Sequence, residues 1–159
     1  MRLSAIRNRL FQSYFRMTRP LTLGVRAIVE DDEARVLLVR HTYVSGWYLP
    51  GGGVEKHETA EDALERELIE EAGVKLTGRP DLLGMFSNHA IFPNDHVLLY
   101  HIPDWTVVEM TSRGEIADFQ FMALNALPDD LARGTRERLL EWKHGRSFSK
   151  YWYAETQPE

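Results

Sequence analysis

Cysteine is missing from this chain altogether. Its absence excludes a disulfide-stapled scaffold, a cysteine-ligated zinc site and any cysteine nucleophile. Long apolar runs are missing too. None approaches the ~20 residues that cross a bilayer, so no transmembrane segment is expected and the chain is read as cytoplasmic. Positive charge is scarce, with 19 Lys and Arg against 24 Asp and Glu and a net charge of −5. That balance argues against a nucleic-acid partner. There is no internal repeat and no low-complexity tract. What remains is 159 residues, 43% of them hydrophobic, which suits one domain with a real core.

The charge is unevenly placed. Arg2, Arg7, Arg9, Arg16 and Arg19 face no acid within the first 19 residues. From Glu55 to Glu71, eight acids stand against only Lys56 and Arg66. Crowded carboxylates repel unless something cationic answers them. The chain divides into residues 1–20, residues 21–145 and an aromatic tail over 146–159. Leu3, Ile6, Leu10, Tyr14 and Met17 fall at helical spacing, so an amphipathic helix is expected at the start, ended by Pro20.

Alternation over Leu23–Val29 predicts a strand with one well-buried face, and Arg35–Arg40 a second, joined by the acidic turn Asp31-Asp32-Glu33. Further strands are expected at Leu82–Ser87, His96–Ile102, Thr106–Met110 and Phe119–Ala123. Thr59–Ala72 reads as a helix, with Thr59 and Asp62 as a capping box and Gly73 as its stop. A last helix is expected over Pro128–Lys143. Strands on both sides of one central helix indicate an α/β sandwich.

On the central helix, residues three and four apart share a face, so Glu67, Glu70 and Glu71 project together while Leu64, Leu68 and Ala72 form the buried stripe. A solvated acidic face is the ordinary explanation of such a run. Two features weigh against it. The acids crowd the helix end where the macrodipole disfavours them. They also follow Gly51-Gly52-Gly53, a loop that lets a ligand approach the backbone closely. A hard divalent cation would reverse the repulsion, and Mg²⁺ commonly bridges carboxylates to substrate phosphates.

These residues spell a pattern. GGVEKHETAEDALERELIEEAGV, from Gly52 to Val74, resembles the Nudix box G-x5-E-x7-R-E-U-x-E-E-x-G-U, with U a bulky aliphatic. Every defined position matches: Gly52, Glu58, Arg66, Glu67, Leu68, Glu70, Glu71, Gly73 and Val74. Trp47–Glu55 is similar to the usual entry to the box, and Glu115–Phe121 with Leu127-Pro128 to the family's closing strand and last helix. The resemblance implies the Nudix fold, a mixed β-sheet sandwiched between α-helices, here with the added N-terminal amphipathic helix. It implies hydrolysis of a nucleoside diphosphate linked to another moiety X, with Mg²⁺ or Mn²⁺ as cofactor. It places metal ligands at Glu67, Glu70 and Glu71, joined by the Gly52 carbonyl, with Glu58 bonded to Arg66 or holding a metal through water. A small-molecule nucleotide is then the expected partner.

Single residues receive roles on this basis. Arg66 is expected to orient Glu58 or Glu67 through charge-assisted hydrogen bonds. The general base is left open between Glu67 and Glu115, with Asp95 and Glu109 behind them. Arg40 and Arg26 are candidates for substrate phosphates. Tyr43, Trp47, Phe86 and Phe92 are candidates for stacking a base, each weighed against an ordinary place in the core. His41, His57, His89, His96 and His101 show no zinc spacing and are read as structural or surface residues.

Family markers for particular substrates are absent. Where the ADP-ribose subgroup has a proline about sixteen residues past the box, this chain has His89-Ala90, and Ile91 stands where the diadenosine-polyphosphate subgroup has a tyrosine. A non-catalytic nucleotide sensor of the same fold is the competing function, disfavoured by the intact box. The isopentenyl-diphosphate isomerase that shares the fold relies on a cysteine. The basic N-terminal stretch reads as a presequence, a membrane-surface helix or a helix packed on its own domain or a partner chain. The tail aromatics Phe148, Tyr151, Trp152 and Tyr153 are expected to dock at home or across a homodimer interface.

Overall fold

The computed structural model describes residues 21–111 and 114–153, so the expected N-terminal helix lies outside the described residues. In chain order the elements are β1 (Thr22–Val29), β2 (Arg35–His41), α1 (Ala60–Ala72), β3 (Val74–Leu76), β4 (Asp81–Ser87), β5 (Asp95–Ile102), β6 (Trp105–Val107), β7 (Ile116–Ala123) and α2 (Arg133–Lys143). β1 runs parallel to β5, and β5 antiparallel to β4, giving the strand order β1-β5-β4. β2 pairs antiparallel with β7, and β3 with β6. Among the described residues, no helix is long and apolar enough to cross a membrane.

β1, β2 and β5 are buried on both faces, and period-two alternation sorts their side chains into two cores. Val25, Ala27 and Val29 of β1, Leu37 of β2 and Tyr100 and Ile102 of β5 meet Ala63, Leu64, Leu68 and Ala72 of α1. Their neighbours in sequence, Ile28, Val36, Leu38, Val97 and Leu99, meet Leu131, Leu139 of α2 and Trp152 on the other side. The expectation of a single buried face on β1 is thereby corrected, because Ile28 is fully buried against the second core.

The caps of α1 follow the sequence. The Thr59 hydroxyl accepts from the Asp62 N–H at 3.1 Å, and the Asp62 carboxylate accepts from the Thr59 N–H. Gly73 closes the helix at φ 62°, where a Cβ would lie 2.4 Å from the Val108 carbonyl oxygen. Thr59→Ala is expected to lower the free energy of unfolding by about 1 kcal/mol, read by urea denaturation. An unchanged midpoint would remove the cap from the stability account.

Boundaries differ most at α2, at β6 and at β7, which begins at Ile116 rather than Phe119. α2 starts at Arg133 rather than Pro128, because Leu131 forms a bridge with Trp47 and the Asp130 carbonyl accepts from the Trp47 N–H at 3.1 Å. β6 covers Trp105–Val107 rather than Thr106–Met110, and β3 is a three-residue strand too short for periodicity to reveal.

Candidate active site

The glycine loop sits where the end of α1 meets β1. Gly51 is held from both sides: its N–H donates to Glu71 Oε2 at 2.7 Å, and its carbonyl accepts from the Arg26 guanidinium. Its φ of 134° and a hypothetical Cβ only 2.1 Å from the Val25 carbonyl oxygen leave glycine as the residue that fits. At Gly52 a Cβ would lie 2.3 Å from Glu67 Oε1, so the carboxylate rests directly on the bare backbone. The Gly52 carbonyl, by contrast, accepts from the Val25 N–H at 2.8 Å.

The helix carboxylates occupy distinct environments. Glu71 is buried at 6% exposure, and burial together with Glu67 and Glu70 raises its pKa to about 7, against the pull of Arg26 and the Gly51 N–H. Arg66 ties the others together. Its Nε and Nη2 donate to Glu58 at 2.8 and 3.1 Å, and its Nη1 donates to Glu67 at 2.7 Å and stands 3.5 Å from Glu70. Nη2 also donates to the Gly53 carbonyl at 3.0 Å, fastening α1 to the loop. Hydrogen bonding to Arg66 holds the Glu58 carboxyl below its ordinary range. Among the described residues, no three acids or histidines converge as a ready-made metal cage. Glu67 is bonded to Arg66, and one oxygen of Glu71 to the loop amide.

The structure gathers some of the sequence candidates and disperses others. Arg26 reaches the site, donating to the carbonyls of Leu49, at 3.1 Å, and Gly51. Tyr43 is exposed as a residue, but partial desolvation of its phenol and the carboxylates of Glu71, Glu115 and Glu67 push its pKa up, so it shares the field of the cluster. Glu115 joins the same field, with its carbonyl accepting from the Thr42 N–H at 2.8 Å. Arg40 is committed to Asp130 at 2.7 Å and lies 4.8 Å over the Trp47 ring.

Phe86 is a correction. It is fully buried, edge-on to Phe148 and Trp152 at 5.8 and 5.7 Å, and has no face for a base. The tail likewise docks on its own domain as far as Tyr153, with Trp152 and Phe148 in the second core.

Two contributors escaped the sequence reading. Gly51, rather than Gly52, carries the loop's contacts to Arg26 and Glu71. His41 is buried with its Nε2 3.6 Å from Glu71 Oε1, and burial and Arg26 lower its pKa. Alternation on β2 held a signal for it, since His41 shares a face with Leu37, which packs on α1.

Beside the loop lies a cavity of about 450 Å³, lined by Arg26, Tyr48, Gly52, Gly53, Phe92 and Tyr153 among others. A mixed α/β sandwich with a glycine loop seated on a carboxylate-bearing helix defines the class of protein. The chain belongs to the Nudix family, whose domain model, described as NUDIX domain, matches residues 20–143.

The relatives carry diphosphatase and pyrophosphatase names that differ in substrate. A putative 8-oxo-dGTP diphosphatase of Bacillus subtilis is 27% identical over 124 residues, 78% of this chain and 81% of the relative. An ADP-ribose pyrophosphatase of Methanocaldococcus jannaschii is 33% identical over 109 residues, 67% of this chain and 64% of the relative. Among solved structures, a MutT NUDIX hydrolase from Burkholderia pseudomallei is similar with a TM-score of 0.64 and 27% identity, covering 75% of this chain and 95% of that one.

Proposed function

We propose that the chain is a metal-dependent hydrolase that cleaves the pyrophosphate linkage of a nucleoside diphosphate joined to another group X, in the cytoplasm. The observation that carries this reading is the seat of Glu67 on the bare Gly52 backbone, beside a cavity of nucleoside size. The donor chemistry fits Mg²⁺ or Mn²⁺: Glu67, Glu70 and Glu71 supply hard oxygens from one end of α1. The raised pKa of Glu71 marks a carboxylate whose negative charge lacks a full counterweight. When bound, such a cation neutralises pyrophosphate oxygens and lowers the pKa of its water.

The chain's own residues do the rest. Arg66 holds Glu58 and Glu67 in place and ties them to the loop through Gly53. Arg26 fastens the loop at Leu49 and Gly51 and brings a positive charge to the cavity it lines. Both loop carbonyls already accept a hydrogen bond, Gly51 from the Arg26 guanidinium and Gly52 from the Val25 N–H, and the Gly52 carbonyl, whose partner is uncharged, is the better loop ligand for a cation. Water activation falls to Glu67, which rests against the loop, whereas Glu115 acts on the site from an exposed position.

A screen with Mg²⁺ and Mn²⁺ over ADP-ribose, nucleotide sugars, dinucleoside polyphosphates and (deoxy)nucleoside triphosphates, including 8-oxo-dGTP, tests the activity. Release of a nucleoside monophosphate is the expected result. Binding of a nucleotide with no cleavage would favour the sensor reading. For the base, Glu67→Gln is expected to lower kcat by about 10²–10⁴-fold and Glu115→Gln by less than about ten-fold at saturating metal. The reverse order would move the base to Glu115.

A further inference from the structure

We propose that the stretch Phe148–Tyr153 is a built wall of the cavity, with Tyr153 a specificity-determining residue for a planar base and Arg138 the residue that positions it. The inference rests on the reading of the site as a nucleoside diphosphate hydrolase and assigns its base-binding side to this segment.

The segment is fastened from two directions. On one side stands Arg138 of α2, 1% exposed. A guanidinium in the interior is tolerated only when its donors are met. Here Nε and Nη2 donate to the two oxygens of Glu141 at 2.7 and 2.8 Å. Nη1 donates to the carbonyls of Tyr151 and, at 3.0 Å, of Trp152. On the other side is β4: the Ser87 N–H donates to the Lys150 carbonyl and the Trp152 N–H to the Ser87 carbonyl, both at 2.9 Å. Gly134 supplies a notch for the indole, since a Cβ there would lie 2.5 Å from Trp152 Nε1.

So much fastening exceeds what a hydrophobic seal requires. A buried ion pair is often replaceable by apolar side chains without loss of stability, so its presence here calls for another reason. What arginine adds is a defined position for two successive carbonyls, and hence for the side chains that follow. Those side chains, Trp152 and Tyr153, line the same cavity as Arg26 and Phe92. The Tyr153 phenol lies within the field of both Tyr48 and Arg26. A half-buried tyrosine beside a cation suits a planar base whose phosphates continue toward the glycine loop, and base stacking is tolerant of base identity.

The test compares KM and kcat for nucleoside substrates (ADP-ribose, 8-oxo-dGTP and a UDP-sugar) with those for 5-phosphoribosyl 1-pyrophosphate, which lacks a base, used as substrate or competitive inhibitor. Tyr153→Ala is expected to raise KM for the preferred nucleoside substrate about ten-fold more than it raises KM, or Ki, for the base-free compound. Its kcat should move less than its KM, and Tyr153→Phe should restore most of the difference. Arg138→Lys should shift the same ratio in the same direction in protein shown to be folded by circular dichroism. Equal changes for both compounds in Tyr153→Ala would overturn the wall while leaving the hydrolase reading intact. A wild-type preference for the base-free compound would overturn both.

Discussion

Glu71→Gln and Glu70→Gln are each expected to lower kcat by about 10²–10³-fold at saturating Mg²⁺, the scale of losing one charge-stabilising element of a phosphoryl site. Glutamine keeps the size of glutamate and, at position 71, an oxygen to accept from the Gly51 N–H. It removes the negative charge. Were these residues a solvated acidic face, losing one of eight acids between Glu55 and Glu71 would leave turnover unchanged. Glu70 has a side chain 38% exposed, so its substitution leaves the core untouched and isolates the chemical effect. The measurement is steady-state hydrolysis across a Mg²⁺ titration, with wild-type turnover in both variants as the result that would remove the metal assignment.

The second large effect concerns the metal-free protein. The Glu71 carboxyl has a pKa raised from 4.5 to about 7, first by burial, so the folded state holds that proton more tightly than the unfolded chain does. At pH values below 4.5 both states are protonated and the group contributes nothing. Between 4.5 and about 7 the unfolded chain ionises while the folded protein does not, and stability falls. Above that window the penalty levels off at on the order of 3 kcal/mol. In chelator, urea denaturation should therefore show wild type losing stability from pH 5 to 8 relative to Glu71→Gln, with the two converging at the acid end. Added Mg²⁺ should restore the wild type at pH 8 and leave the variant where it was. Parallel pH profiles for the two proteins would show that Glu71 ionises without penalty.

Both expected effects have one cause. Burying Glu71 beside Glu67 and Glu70 stores repulsion that a cation can relieve, and stability is sacrificed where charge must be concentrated. Arg66 offsets part of it in the absence of metal by donating to Glu58 and Glu67.

Much of this was legible from residue order. The central helix, its capping box and its left-handed glycine stop are local features, set by hydrogen bonds spanning three to five residues, and they stand where the sequence placed them. The box residues share one helix and one loop, so their juxtaposition could be read before any fold was known. The start of α2 could not, because Pro128–Leu131 is drawn into contact with Trp47 by a partner more than eighty residues earlier. Phe86 could not either. An aromatic on a strand looks the same whether it faces a ligand or Trp152, and only the docked tail decides.

By itself, the sequence determined the family, the run of carboxylates on one helix and the exclusion of cysteine chemistry, since each depends on residue types at short spacing. The tertiary structure alone decided which carboxylate is buried, which loop carbonyl meets Arg26, and that Trp152 and Tyr153 wall the cavity beside Gly52 and Gly53. Those outcomes depend on contacts between distant segments, and burial and charge coupling arise only when such segments meet.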